Sequence, residues 1–197
     1  MIQLIYAYCG TKNAEGHNEY AFGLKDGLPW GHIKRDMQNF ARHTKDSILI
    51  MGAKTFMGFK EPLPGRITIV VQDMSRPLAT TKHGFLANCY ISKLQLNKLL
   101  TGSSIQAKTS YNCSIPFNPT QKYSVIGGKG ILEMAQPYAD RIIQTSIRKK
   151  HYVCSDVKLD MNFIVFPSWS DDFQTVESSW VRCDELTSIT ETIYERV

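Results

Sequence analysis

Short apolar runs punctuated by glycine, proline and asparagine dominate this chain, with helical periodicity in between. Residues 1–9 form a continuous apolar run rich in β-branched and aromatic side chains, which predicts a strand covered on both faces. Residues 47–51, 67–71, 89–91, 123–126 and 141–147 repeat that signature and predict further strands. Between them the period changes. Ile33, Met37, Phe40 and Ala41 fall on one face of a helix that begins near His32. Residues 53–56 begin a short helix after Gly52, and residues 130–136 form another that ends before Pro137. Ser92 is placed to cap a helix over 93–100 whose apolar side is Leu94, Leu96, Leu99 and Leu100. Residues 20–27, with Gly23, Asp26 and Gly27, read as a mobile loop. Residues 101–121 are rich in Ser, Thr, Asn and Pro and read as a long surface loop. Near the end, 175–180 and 189–196 suit an antiparallel pair joined through Asp184-Glu185. The expected fold class is therefore α/β: a mostly parallel central sheet with an antiparallel C-terminal edge strand and flanking helices. The chain reads as one domain over 1–197, with a surface-loop insertion at 101–121.

The stretch from Gly27 to Phe40 carries the most chemistry. Pro29 makes its opening rigid, and Asp36 then falls on the apolar stripe of the following helix, between Ile33 and Phe40. A carboxylate there needs a partner, and burial would raise its pKa toward the range of a proton handler. The competing reading is an acid at the stripe's edge, paired with Lys34, Arg35 or solvent. Glycine ends two of the strands, at Gly52 and at Gly127-Gly128, where backbone can approach a phosphate at a helix start. Arg66 follows the rigid turn Leu63-Pro64-Gly65, well placed to clamp a carboxylate. No nucleophile and no metal cluster is legible. Such a set suits a protein that orients a cofactor and offers one proton route.

Composition narrows this further. An apolar fraction of 43% and a charged fraction of 21% are ordinary for a globular protein. The net charge of +5 without long basic runs fits an anionic small molecule or a weak surface attraction to polyanions and establishes neither; no nucleic-acid partner is expected, and Arg148-Lys149-Lys150, the one dense basic run, reads as a solvated strand end. Five scattered cysteines without C-x-x-C spacing read as reduced thiols of a cytoplasmic protein. No stretch approaches a transmembrane span, so no membrane partner is expected.

The motifs Leu28-Pro29-Trp30, Asp36, Ile50-Met51-Gly52-x-Lys54-Thr55-Phe56, Leu63-Pro64-Gly65-Arg66 and Val125-Ile126-Gly127-Gly128 resemble those of dihydrofolate reductase in order and spacing. The likeness spans the chain apart from 101–121, and the insertion and the wording of several segments look most like the reductases of T-even bacteriophages. It implies a dihydrofolate-reductase-like fold and NADPH-dependent reduction of dihydrofolate, in a host cytoplasm if the chain is phage-encoded. Asp36 matches the family acid that holds the pterin and helps protonate N5, and Thr145 matches the threonine bonded to it. Leu28 and Trp30 match the tip of the closing loop and the indole lining the site. Arg66 matches the clamp for the glutamate carboxylate. Phe40 and Phe59 match the walls around the substrate rings, and Ile5 and Ile126 match carbonyls that meet the pterin. Tyr6 and Leu63 fall among substrate contacts as well. On the cofactor side, Ala7 matches the nicotinamide contact, and Gly127 and Gly128 with Lys129, Gly130, Ile131 and Leu132 match the phosphate turn. Phe22, Gly23, Gly52, Lys54, Thr55, Gln72, Asp73 and Arg76 complete the cofactor set.

The sequence departs from the family in places. The step from Trp30 to Asp36 is one residue longer than in many bacterial enzymes. Ala53 stands where a basic residue usually holds the cofactor's 2′-phosphate, and Asp73 lies near a usual serine or arginine. The pyrimidine reductase of riboflavin synthesis shares the fold, but Asp36 after Leu-Pro-Trp and Arg66 argue against it. A third reading, a folate-binding virion component, stays open as a second role. Residues 101–121 are expected to point away from the site and serve self-association or a phage protein partner through Tyr111, Ile115 and Phe117.

Overall fold

The computed structural model describes residues 1–197, which divide into two compact units. The first comprises Met1–Leu4 and Thr44–Ala139, the second Ile5–His43 and Asp140–Val197. Strand β1 (Ile2–Lys12) contributes its first residues to one unit and the rest to the other.

In the first unit the central pairs are parallel. Residues 2–4 of β1 pair with β8 (Tyr123–Gly127), β8 with β3 (Ile48–Gly52), β3 with β4 (Thr68–Val71) and β4 with β5 (Cys89–Ile91). These strands are the continuous apolar runs of the sequence, buried along nearly all their length. Helix α2 (Ala53–Gly58) leaves β3 at Gly52, and α4 (Lys129–Ala135) leaves β8 at Gly128. Residues 136–138 continue as a 3-10 turn through Pro137. Helix α3 (Lys93–Leu100) carries a reciprocal cap: the Ser92 hydroxyl accepts from the Gln95 amide, and the Gln95 side chain accepts from the Ser92 amide. Leu96, Leu99 and Leu100 are buried on it, but Leu94, expected on the same side, is exposed.

The expected surface loop at 101–121 is a β-hairpin. Strands β6 (Ile105–Thr109) and β7 (Ser114–Phe117) pair antiparallel, and β6 pairs with β5, so antiparallel pairing extends this sheet beyond the parallel centre. Ile105, Ala107 and Thr109 alternate inward, and Phe117, read as an exposed anchor, is 2% exposed. Asn112 takes a left-handed φ of 59° at the tip, which asparagine tolerates. Tyr111 beside it is 87% exposed, and Ile115 is exposed too. Pro116 sits on the outermost strand, where the ladder loses least by a missing N–H.

The second unit orders its strands β11 (Phe173–Arg182), β12 (Thr187–Arg196), β9 (Arg141–Lys149) and β1. β9 pairs antiparallel with β12 in unbroken register from Arg141 to Lys149, and β12 pairs antiparallel with β11 with a register shift between Thr175 and Glu177. Residues expected as a mobile loop at 20–27 instead form β2 (Asn18–Gly23), antiparallel to β1, and a tight turn from Leu24 to Gly27. β2 is backed in turn by β10 (Val157–Lys158). The Asp156 carboxylate accepts from the Lys25 amide at 2.9 Å, and Lys158 pairs with Glu19 at 2.7 Å. Helix α1 (Lys34–Thr44) covers one face of this sheet, with Trp30 and Ile33 packed against Cys9, Ile147 and Ile189. Helix α5 (Met161–Trp169) was not legible, being apolar on every side with Pro167 inside it. Its Phe163 meets Tyr6, and its Ile164 carbonyl accepts from Gln144. The basic run at the end of β9 lines an open cavity of about 700 Å³, with Lys12, Tyr8, Tyr20 and Tyr152. No helix is long and apolar enough to cross a membrane.

Candidate active site

Alternation along β1 and β9 sorts the second unit's site residues. Tyr6 and Gln144 share one face and hydrogen-bond there at 2.9 Å. Ile5, Ala7 and Thr145 therefore point to the opposite face, where Ala7 joins the cluster of Trp30 and Ile33. Tyr6, expected among substrate contacts, sends its ring toward α5, so only its backbone is left for the other face.

On that other face α1 sets Asp36, 6% exposed, against β9, where it takes a hydrogen bond from the Thr145 hydroxyl. Burial first, and the neighbouring charge of Glu191 second, push Asp36 up to about 6, against the lowering pull of Thr145. The carboxyl thus exchanges its proton near neutrality. Trp30 is buried beside α1, and its indole N–H meets no acceptor within the protein. A buried donor without a partner is rare and implies something else to bond with. Leu28 is exposed in the turn before Trp30, its carbonyl accepting from Gly31. Phe40 is half-buried on α1, and Phe22 and Gly23 are half-buried in β2.

Glu191 belongs to this environment without having been singled out in the sequence. It faces Thr145 in the β12–β9 register and is 3% exposed. One of its oxygens accepts from Arg42 at 3.0 Å and from His43 Nε2 at 3.1 Å. The signal was present: Thr187, Ile189 and Ile193 alternate with polar residues in β12, and Glu191 falls on their buried face.

The first unit gathers a different set. Gly52 and Gly128 precede α2 and α4, and no side chain caps either helix start. A Cβ on Gly128 would lie 3.2 Å from Thr55 Oγ1, and one on Gly52 would lie 3.4 Å from Ile131 and 3.7 Å from the Gly128 nitrogen. The contact at Gly128 is tight, that at Gly52 is ordinary van der Waals packing, and Gly127 takes a φ of 136° that favours glycine. The result is a bare backbone cradle whose amide donors no side chain fills. Lys54 is exposed on α2, and Lys129 pairs with Glu133 at 3.6 Å. Gly130 is exposed, while Ile131 and Leu132 bury their side chains in the core.

Arg66 is held at two points: Nη1 donates to the Thr44 hydroxyl at 2.7 Å and Nε to the Pro64 carbonyl at 3.2 Å. Two of its five donors are so used, and the head is held in one orientation. Phe59, Leu63 and Ile126 pack half-buried against the cluster of Leu49, Met51 and Phe56. The Gln72 amide is occupied in the 72–79 loop, donating to Pro77 and accepting from Ala79. Asp73 accepts from the Ser75 amide and hydroxyl, which hold it below the usual carboxylate range, and lies 3.6 Å from Arg76.

A family model described as dihydrofolate reductase matches residues 13–196. Among curated proteins, the chain is 31% identical over 75% of its length to dihydrofolate reductase type 9 of Escherichia coli, covering 72% of that protein. It is 28% identical over 80% of its length to a Drosophila melanogaster dihydrofolate reductase, covering 78% of it. Among solved structures, the Enterococcus faecalis dihydrofolate reductase complexed with NADP(H) and RAB-propyl superposes with a TM-score of 0.66 at 21% identity. The match covers 100% of this chain and 96% of that one.

Proposed function

The chain belongs to the dihydrofolate reductase family, and from that membership we propose that it reduces 7,8-dihydrofolate to 5,6,7,8-tetrahydrofolate using NADPH. The observation that carries this is Asp36, a buried carboxyl bonded to Thr145 that keeps its proton up to about pH 6. NADPH supplies the hydride that C6 of the substrate receives. Asp36 holds the pterin's N3 and 2-amino group and helps deliver the proton that N5 receives. Thr145 fixes the orientation of its carboxyl. Trp30 offers its unpaired indole N–H to the same chemistry, directly or through water. The carbonyls of Ile5 and Ile126 meet the pterin, Phe40 and Phe59 flank the substrate rings, and Arg66 binds the substrate's glutamate carboxylate with its unused donors.

The chain fits its cofactor by the bare cradle at Gly52 and Gly128. A phosphate needs close backbone amides, and a side chain at Gly128 would crowd Thr55 beside them. Thr55 and Lys54 stand beside it for the same anion, and Ala7 takes the nicotinamide amide. Arg76, held toward Asp73, is less free than Lys54 to favour a 2′-phosphate.

The test is to follow the loss of reduced-nicotinamide absorbance with dihydrofolate, for the wild type and for Asp36→Asn. The wild type turns over, and the variant loses about 10²–10⁴-fold in hydride transfer at neutral pH while still binding NADPH. A wild type without turnover, or an asparagine variant within a few-fold of it, overturns the assignment.

A further inference from the structure

Asp36 is not the only carboxylate buried on its face of the sheet. Glu191 lies across the β9–β12 pair from Thr145, the residue that hydrogen-bonds Asp36. Glutamate at 3% exposure survives only when its charge is compensated. Here the last turn of α1 provides that, with Arg42 at 3.0 Å and His43 at 3.1 Å on a single oxygen. An ionised carboxylate can only accept, so His43 Nε2 carries a hydrogen and donates it.

We propose that Glu191 is a positioning residue for the reaction: clamped by Arg42 and His43, its fixed negative charge opposes ionisation of Asp36 and so keeps the reacting proton in place. This rests on Asp36 being the proton-handling acid. The two carboxyls divide their roles by environment. Burial alone would push Glu191 up, but the hydrogen bond from His43 and the cationic Arg42 and Arg35 bring it below the usual range. Asp36 has no such cation bonded to it, only a neutral hydroxyl, so it is the member of the pair that holds the proton. Arg35, Arg42 and His43 of α1, Thr145 and Lys149 of β9, Glu191 of β12, and Cys183 and Asp184 of the β11–β12 turn make up the polar surroundings of the pair.

The arrangement explains why a carboxylate sits in β12 where Ile189 and Ile193 occupy the equivalent buried positions. An apolar residue at 191 would pack as well but leave Asp36 with burial alone. It also separates two effects that a single buried acid would merge. Burial depth is set by the core, whereas the fixed charge is set by how tightly α1 holds Glu191.

Glu191→Gln keeps an oxygen for Arg42 and His43 and removes only the charge. The midpoint of the pH profile for hydride transfer should then move to lower pH, on the order of half a unit. Arg42→Gln leaves Glu191 less compensated and should move the midpoint the other way. A purely structural Glu191 would lower the rate and the melting temperature without moving the midpoint. An unmoved midpoint in Glu191→Gln, or shifts of the same sign in both variants, overturns the proposal. If Glu191→Gln does not fold, Arg42→Gln decides alone: an upward shift supports the proposal and no shift refutes it. Asp36→Asn, measured alongside, tests the underlying reading separately. Loss of the titration upholds Asp36 as the acid, and its persistence shows that another group titrates.

Discussion

Asp36 shows how strongly one residue's surroundings can change its chemistry. Burial raises its pKa from 3.8 to about 6, so its charge is disfavoured in the native state. In the unfolded chain the carboxyl ionises near pH 4, whereas folded it keeps the proton until about pH 6. The native state therefore binds more protons in that window, and stability falls as pH rises through it. Above about pH 6 the full cost remains, about 3 kcal/mol for a shift of this size. Asp36→Asn removes the ionisation and keeps an oxygen for Thr145. Its melting temperature should exceed that of the wild type at pH 8 and converge with it near pH 4. Thermal unfolding across that range checks this, and a difference independent of pH would place the cause outside the carboxyl's titration. The same substitution that stabilises the fold should slow the reaction by about 10²–10⁴-fold, a trade expected where a site holds an unfavourable group for its chemistry.

At the scale of elements, the β6–β7 hairpin gives the clearest prediction. Its Phe117 is buried and its Tyr111 is almost fully exposed. The hairpin also extends the sheet from β5, and the Gln106 carbonyl accepts from Gln95 of α3 at 2.6 Å. Phe117→Ala should cost about 3–5 kcal/mol. Tyr111→Ser should lie within about 0.5 kcal/mol of the wild type. Denaturant unfolding distinguishes them, and similar losses in both would mean that the tip is packed in solution. Excising residues 102–119 should likewise destabilise the first unit by baring β5 and the apolar side of α3. The sequence pattern pointed the other way because five strand residues, Ile105 to Thr109, carry only two apolar side chains among polar neighbours. Their inward alternation becomes meaningful only once β5 and α3 supply something to bury against.

For the whole molecule, net charge is the property that no single element holds. The chain carries +5, and both proposed ligands are anions. Charge of that sign speeds encounter with an anion, and salt screens it once the Debye length falls from ~10 Å at 0.1 M to ~3 Å at 1 M. The association rate for NADPH should therefore fall several-fold over that range, with the dissociation rate changing less. Stopped-flow binding at several salt concentrations measures this. A flat profile would assign recognition to contacts at the cradle alone.

Much of this molecule follows from its sequence by local rules. Continuous apolar runs became the parallel strands, because a strand buried on both faces needs no alternation. Ser92 became a cap and Gly52 and Gly128 became helix starts, because those conformations depend on a few adjacent residues. Asp36 stood out because a carboxylate on an apolar stripe breaks the pattern. What the tertiary structure decided is everything that depends on a distant partner. Strand β2 exists because β1 and β10 flank it. Helix α5, without a polar face, is defined by the residues it covers, Tyr6 and Gln144 among them. The pairing of Thr145 with Glu191, and of Glu191 with Arg42 and His43, joins residues about 46 to 149 positions apart in the chain. Periodicity reports which face a residue occupies, but a buried charge is stable only through partners that folding brings to it.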